Sequence, residues 1–131
     1  LGRLDEAEAS YRQAITLQPG LAEAHYNLGN TLRELSRLDE AEVIYRQTVA
    51  LKPDYAKAHN NLGLALQELG RLDEAEVSYK QAISQQADFA GAHSNLGELL
   101  LILGRYSEAL DENKKGGGLI SFDFGNGWSI L

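Results

Sequence analysis

A shift of 34 residues lays the chain on itself: Ala22–Tyr55 placed on Ala56–Phe89 gives identity at 19 of 34 positions, far beyond what composition produces. A third copy starts at Ala90 and fades after Lys115, and residues 1–21 match only the second half of a copy. A period of this length predicts a solenoid, in which each unit buries its apolar face only against its neighbours. Inside one unit His25, Leu28, Gly29, Leu32 and Leu35 fall at i, i+3, i+4, i+7 and i+10, one stripe of an α-helix. A second stripe, Leu38, Ala41, Tyr45, Thr48 and Val49, begins after Ser36-Arg37, where the sister copies carry Gly70-Arg71 and Gly104-Arg105. That junction is a helix stop suited to a left-handed residue, so each unit reads as a helix hairpin.

The spacing predicts helices over 4–17, 22–35, 38–51, 56–69, 72–85, 90–103 and 106–115. Pro19 and Pro53 break the chain between units, and Asp54 and Asp88 stand where an N-cap is expected. Asp5-Glu6, Asp39-Glu40 and Asp73-Glu74 fall in the first turn of each second helix, where carboxylates complement the helix dipole. Residues 116–131 obey a different pattern. Gly116-Gly117-Gly118 leads into Leu119–Phe124, then Gly125-Asn126-Gly127 and Trp128–Leu131, which reads as strand, turn, strand. An isolated hairpin is marginal in water, so Ile120, Phe122, Phe124 and Trp128 are expected to pack on the unfinished end near Tyr106–Lys115.

Composition removes several function classes. Of 131 residues, 12 are Lys or Arg and 19 are Asp or Glu, a net charge of -7 that speaks against nucleic acid. Cysteine is absent, which excludes a disulfide framework and thiolate chemistry and fits a cytoplasmic location. The longest apolar run, Leu99–Leu103, is far short of the ~20 residues that span a bilayer, so no membrane association is expected. Methionine is absent even at position 1, so the chain is expected to be a portion of a longer one, and the apolar Leu4, Ala7, Tyr11 and Ala14 of an uncovered half unit to promote self-association. His25, His59 and His93 recur at the repeat period. Equivalent atoms of neighbouring units lie roughly 10 Å apart, while Zn²⁺ needs ligands at ~2.0–2.1 Å, so the histidines read as packing residues between units and no metal is expected. No phosphate loop, HExxH or nucleophile elbow occurs, so neither catalytic residues nor a cofactor are expected.

Leu28-Gly29, Ala41, Tyr45 and Pro53, echoed by Leu62-Gly63, Ala75, Tyr79 and Ala82 and by Leu96-Gly97 and Ala109, resemble the tetratricopeptide repeat over about residues 1–112. Gly29 is expected to face Ala41 for close helix approach, with Tyr45 filling the wedge toward the next unit. Departures from the family pattern are the three histidines, where a bulkier residue is common, and Asn113, where an aromatic is expected. The fold expected is all-α: a right-handed α-solenoid of antiparallel helix hairpins, with a half repeat over 1–21, repeats over 22–55, 56–89 and 90–115, and a linker with an extended or hairpin tail over 116–131.

For function the resemblance implies a non-enzymatic scaffold whose first helices line a concave groove holding a peptide or partner protein. Opposite the core stripe those helices carry Tyr26, Asn27, Asn30 and Arg33, then Lys57, Asn60, Asn61, Leu64 and Gln67, then Ser94, Asn95 and Glu98. Asn27, Asn61 and Asn95 recur at the period. A carboxamide offers donor and acceptor together, as peptide backbone requires. The set resembles the asparagine ladder in the repeat domain of O-linked N-acetylglucosamine transferases. The same residues equally suit local bonds to a neighbouring helix. The basic clamp of chaperone-binding members has no counterpart, since Arg33 and Lys57 lack basic partners in the last unit. Two further readings fit the chain: the substrate-recruiting fragment of a larger enzyme such as a glycosyltransferase, and a structural self-association array.

Overall fold

The left-handed junctions form where the repeat places them. The computed structural model describes residues 2–116, 120–123 and 127–130. Its helices are α1 Gly2–Leu17, α2 Ala22–Glu34, α3 Leu38–Leu51, α4 Ala56–Glu68, α5 Leu72–Gln85, α6 Ala90–Ile102 and α7 Tyr106–Lys115, followed by strands β1 Ile120–Asp123 and β2 Gly127–Ile130. Gly70 and Gly104 turn the chain at φ 81° and 77°. Beyond them the Arg71 and Arg105 N–H groups donate to the Leu66 and Leu100 carbonyls at 2.9 and 2.8 Å, the helix-closing bond of a Schellman turn. Ser36 makes the same turn at φ 60°, with Arg37 bonded to Leu32 at 2.9 Å. Its Cβ makes that conformation cost about 1–2 kcal/mol that the glycines avoid.

The start of each first helix differs from expectation. The N-cap positions belong to Leu21, Tyr55 and Phe89, and none makes a side-chain cap bond. Asp54 instead lies inside a turn closed by the Tyr55 N–H on the Lys52 carbonyl at 3.1 Å, with Pro53 at the second corner where its fixed φ fits. The histidines fasten these turns. Nε2 of His25, His59 and His93 lies 3.0, 2.8 and 2.7 Å from the carbonyls of Pro19, Pro53 and Ala87. A carbonyl only accepts, so Nε2 carries the hydrogen in each case.

Within a hairpin, the atoms nearest to the Gly29 position belong to the Tyr45 ring, and in the third unit Gly97 lies against the Ala109 carbonyl. A Cβ at Gly29 would lie 2.6 Å from the Tyr45 ring, and one at Gly63 would lie 2.6 Å from the Tyr79 ring. Each tyrosine folds back onto its own unit because only a missing side chain leaves room for the ring. Asn113 takes the tyrosine place in the third unit, is 2 % exposed, and leaves its Nδ2 without a partner among the described residues. The core runs continuously through Leu28, Leu32, Leu62, Leu66, Leu96 and Leu100. By contrast α1 has no buried residue, and Leu4, Ala7, Tyr11 and Ala14 stay half-buried.

Two kinds of contact join the units. First helices approach one another, α2 against α4 and α4 against α6, whereas among the described residues no second helix backbone reaches the next one. The array therefore curves with α2, α4 and α6 on its inner side. Outside, arginines strap the second helices together. Arg37 holds Glu40 through two bonds, at 3.0 and 2.7 Å, and reaches back to Glu8 at 2.6 Å. Arg71 likewise grips Glu74 and reaches back to Glu42, and Arg105 grips Glu108 and reaches Glu76 at 2.7 Å. These forked pairs match planar guanidinium to carboxylate.

The tail forms an antiparallel hairpin with Phe122 opposite Trp128 and Ile120 opposite Ile130, and β1 runs beside α7. The expected packing of Ile120, Phe122, Phe124 and Trp128 lies outside the described residues.

The straps make stability depend on acid. The bond from Arg37 holds the Glu8 carboxyl below the ordinary 4.5, and the bond from Arg105 does the same for Glu76. Burial alone would raise Glu42, but Arg71 and Arg46 outweigh it and leave its pKa lowered. A carboxyl lowered by folding contributes stability above its unfolded pKa and loses it as pH falls through the folded value. The urea midpoint is expected to fall on acidification below about pH 4.5. Glu42→Gln should flatten that dependence; an unchanged acid slope would show the strap to be energetically idle.

Candidate functional site

The inner side of the array is a wall of amides and tyrosine hydroxyls. Asn30 Oδ1 accepts from the Tyr45 hydroxyl at 2.5 Å and from Asn61 Nδ2 at 2.8 Å, across the gap between α2 and α4. Asn61 Nδ2 also donates to the Tyr26 hydroxyl at 3.1 Å, and Asn61 Oδ1 accepts from Asn60 Nδ2 at 3.3 Å. Asn60 Oδ1 in turn accepts from Asn95 Nδ2 at 2.9 Å. The chain of bonds thus crosses all three units. Burial around it pushes the Tyr45 hydroxyl up to about 12, which keeps it a donor at neutral pH.

These bonds make the three periodic amides unequal. Asn61 has both N–H groups engaged with the preceding unit, so it presents only acceptor capacity. Asn95 engages one N–H and keeps the other, together with its carbonyl. Asn27 lies on α2, and among the described residues no first helix stands before it. Its backbone carbonyl accepts from Thr31 at 2.9 Å, and its side chain carries no hydrogen bond among the described residues. Asn30 Oδ1 is saturated, which leaves its NH₂ for the inner face.

Other expected groove residues divide between wall and surface. Asn60 is 7 % exposed and belongs to the wall, not to the open groove. Ser94 is half-buried where the end of α7 crosses α6, its Oγ 2.7 Å from where a Cβ at Gly116 would lie. Arg33 pairs with Glu68 at 3.3 Å, and Gln67 accepts from the Tyr79 hydroxyl at 2.7 Å. Leu64 is half-buried against the core. Lys57 and Glu98 are exposed without an ion pair among the described residues. Tyr26 stacks at 4.9 Å on Tyr55, over whose ring Lys52 Nζ sits at 4.9 Å.

Sequence reasoning missed the part played by Tyr45 and Tyr79, whose rings belong to the core while their hydroxyls reach the inner wall. The 12-residue offset from Gln67 to Tyr79 and the 15-residue offset from Asn30 to Tyr45 differ, so no shared period marks the bonds. It also missed Tyr55, read only as a unit end. Among the described residues no helix is long and apolar enough to cross a membrane, and no three His, Asp or Glu converge as metal ligands.

No curated protein matches the chain as a relative. Among solved structures, a crystal structure of MamA superposes with a TM-score of 0.82 at 28 % identity, covering 86 % of this chain and 66 % of that one. A second MamA crystal structure gives 0.80 at 28 % identity, covering 86 % of this chain and 62 % of its own. MamA from residue 41 to its end, from Desulfovibrio magneticus RS-1, gives 0.80 at 22 % identity with 89 % and 66 % covered, a likeness of fold alone. The chain thus spans slightly under two thirds of each of these three MamA chains. Family models described as TPR repeat and tetratricopeptide repeat cover residues 1–35 and 29–70, then 56–89, then 90–112, the last two coinciding with the α4–α5 and α6–α7 hairpins. With its repeat period, left-handed junctions and glycine-tyrosine hairpins accounted for by those models, the chain belongs to the tetratricopeptide repeat family.

Proposed function

We propose that this protein is a non-enzymatic protein-interaction scaffold that holds an extended segment of a partner along the face of α2, α4 and α6. The observation that carries this reading is the uneven use of amide capacity. In a wall where almost every polar group is paired, Asn27, the NH₂ of Asn30 and half of Asn95 are left unpaired on the inner side. An extended backbone supplies alternating N–H and C=O groups that complement such amides regardless of its side chains. The likeness to the glycosyltransferase asparagine ladder then holds at the first and third positions, while Asn61 acts mainly as the wall's keystone.

The test separates the two roles. Against a panel of unstructured peptides followed by fluorescence anisotropy, Asn27→Ala and Asn95→Ala are each expected to weaken the tightest binder by ~0.5–1.5 kcal/mol with little change in Tm. Asn61→Ala should lower Tm as well, because it removes bonds to Asn30 and Tyr26. Binding indifferent to both Asn27→Ala and Asn95→Ala would sink the proposal.

A further inference from the structure

Resting on that groove reading, we infer that the third unit selects its partner segment by a basic residue set next to a large apolar one, with Glu98 taking the cation and Leu64, Leu101 and Ile102 the apolar side chain.

The argument comes from comparing equivalent positions. One row of the inner face reads Asn30, Leu64, Glu98; the next reads Arg33, Gln67, Leu101; the edge row reads Glu34, Glu68, Ile102. The first unit is polar throughout, and apolar residues enter only toward the third. Observed bonds show which rows face each other. Asn61 meets Asn30, and Arg33 meets Glu68, so the same step of 34 sets Asn95 opposite Leu64 and Ile102 opposite Gln67. One consequence is visible: Asn95 faces a leucine where Asn61 faces an acceptor, and it keeps only the counterpart of the Asn61–Tyr26 bond, its donation to Asn60.

Ile102 is 61 % exposed at a position where both sister units carry glutamate. Leu101, next to it on α6, and Leu64 on α4 are half-buried, with their inner edges already on the core. An apolar side chain seated there would cover surface that water now meets.

The charge of the occupant follows from what surrounds Glu98. The strap carboxylates Glu8, Glu40, Glu42, Glu74, Glu76 and Glu108 all have arginine partners. Glu98 has no ion pair among the described residues, and the Arg33 guanidinium is engaged by Glu68. The Tyr79 hydroxyl is pushed up first by burial and then by Glu98 and Glu68, so their negative field reaches it. Among the described residues Glu23, Glu34 and Glu98 stand on the inner face without ion pairs, and the cations Lys52 and Lys57, also without ion pairs, line a cleft with Glu23 and not with Glu98. A cationic side chain complements that balance and an acidic one is repelled.

The experiment uses four labelled peptides with one Ser/Gly backbone and a central Lys-Leu, Lys-Ser, Ser-Leu or Glu-Leu pair, titrated into the full chain by fluorescence anisotropy. Lys-Leu should bind tightest, about tenfold better than Glu-Leu at low salt, with the gap closing as salt rises. Glu98→Lys, at an exposed site where folding is checked by circular dichroism, should reverse the order of those two peptides. Ile102→Ser should bring Lys-Leu down to Lys-Ser. Asn27→Ala should weaken all four equally, because it acts on backbone. Equal binding of all four peptides, or an order unmoved by Glu98→Lys, overturns the inference while leaving the groove reading in place; a patch covered by the chain's own tail or by a second copy would give this result. Absence of binding by any peptide overturns both.

Discussion

Replacing Tyr79 by alanine is expected to lower the unfolding free energy by about 3–5 kcal/mol, measured by urea denaturation. The ring is fully buried on Gly63 and its hydroxyl is bonded to Gln67, so the change removes aromatic packing and one hydrogen bond at the centre of the array. Gly63→Ala alone should cost about 1–3 kcal/mol, because the new methyl would lie 2.6 Å from two carbons of that ring. In the double variant the penalty of Gly63→Ala should vanish, since its clash partner is gone and alanine is the better helix former. Additive losses would show that the ring and the glycine do not depend on one another. Gly97→Ala should be milder, since its nearest neighbour is the Asn113 amide at 3.1 Å.

A second large effect is expected at His93, which is 4 % exposed and bonded at both ring nitrogens, to the Ala87 carbonyl and to Glu112 Oε2, each at 2.7 Å. One bond joins α6 to the preceding turn and the other joins it to α7. His93→Ala should cost about 2–4 kcal/mol, at ~0.5–1.5 for a neutral bond and ~1.5–3 for a bond to a charged group. His59→Ala loses one more exposed bond and should cost about 0.5–1.5 kcal/mol. The sister positions explain the difference: where Glu112 stands, the earlier units carry Ile44 and Ser78. Hydrogen exchange along α7 locates the effect, because only His93→Ala should expose that helix early. Equal losses for the two variants would contradict the assignment.

The hairpins were legible because the repeat fixes apolar spacing and the left-handed junctions together, and Gly70 and Gly104 announce the latter directly. Helix starts were less legible. Asp54 and Asp88 have the chemistry of caps, but the turn ahead of each helix claims them and gives the cap position to Tyr55 and Phe89. The groove was legible as a set of positions but not as a set of exposures. Asn27, Asn61 and Asn95 each precede Leu-Gly, and what separates the latter two is the residue 31 positions earlier, Asn30 for Asn61 and Leu64 for Asn95. That relation spans two units, and a helical stripe within one unit cannot show it. The same holds for the straps, whose two halves lie 29 residues apart.

The straps also bear on how such an array can change length. Each of the strap arginines Arg37, Arg71 and Arg105 belongs to one hairpin and the far carboxylate it reaches belongs to the hairpin before, so a unit spliced between α3 and α4 would arrive with an arginine for Glu42 and a new carboxylate for Arg71. No charge would be orphaned. A unit joined after α7 would meet Leu110, which stands 34 residues beyond Glu76 where the next carboxylate would have to be. Its leading arginine would face a hydrocarbon. Lengthening from within therefore keeps every strap intact, whereas a unit packed on α7 would be held there by its apolar face alone.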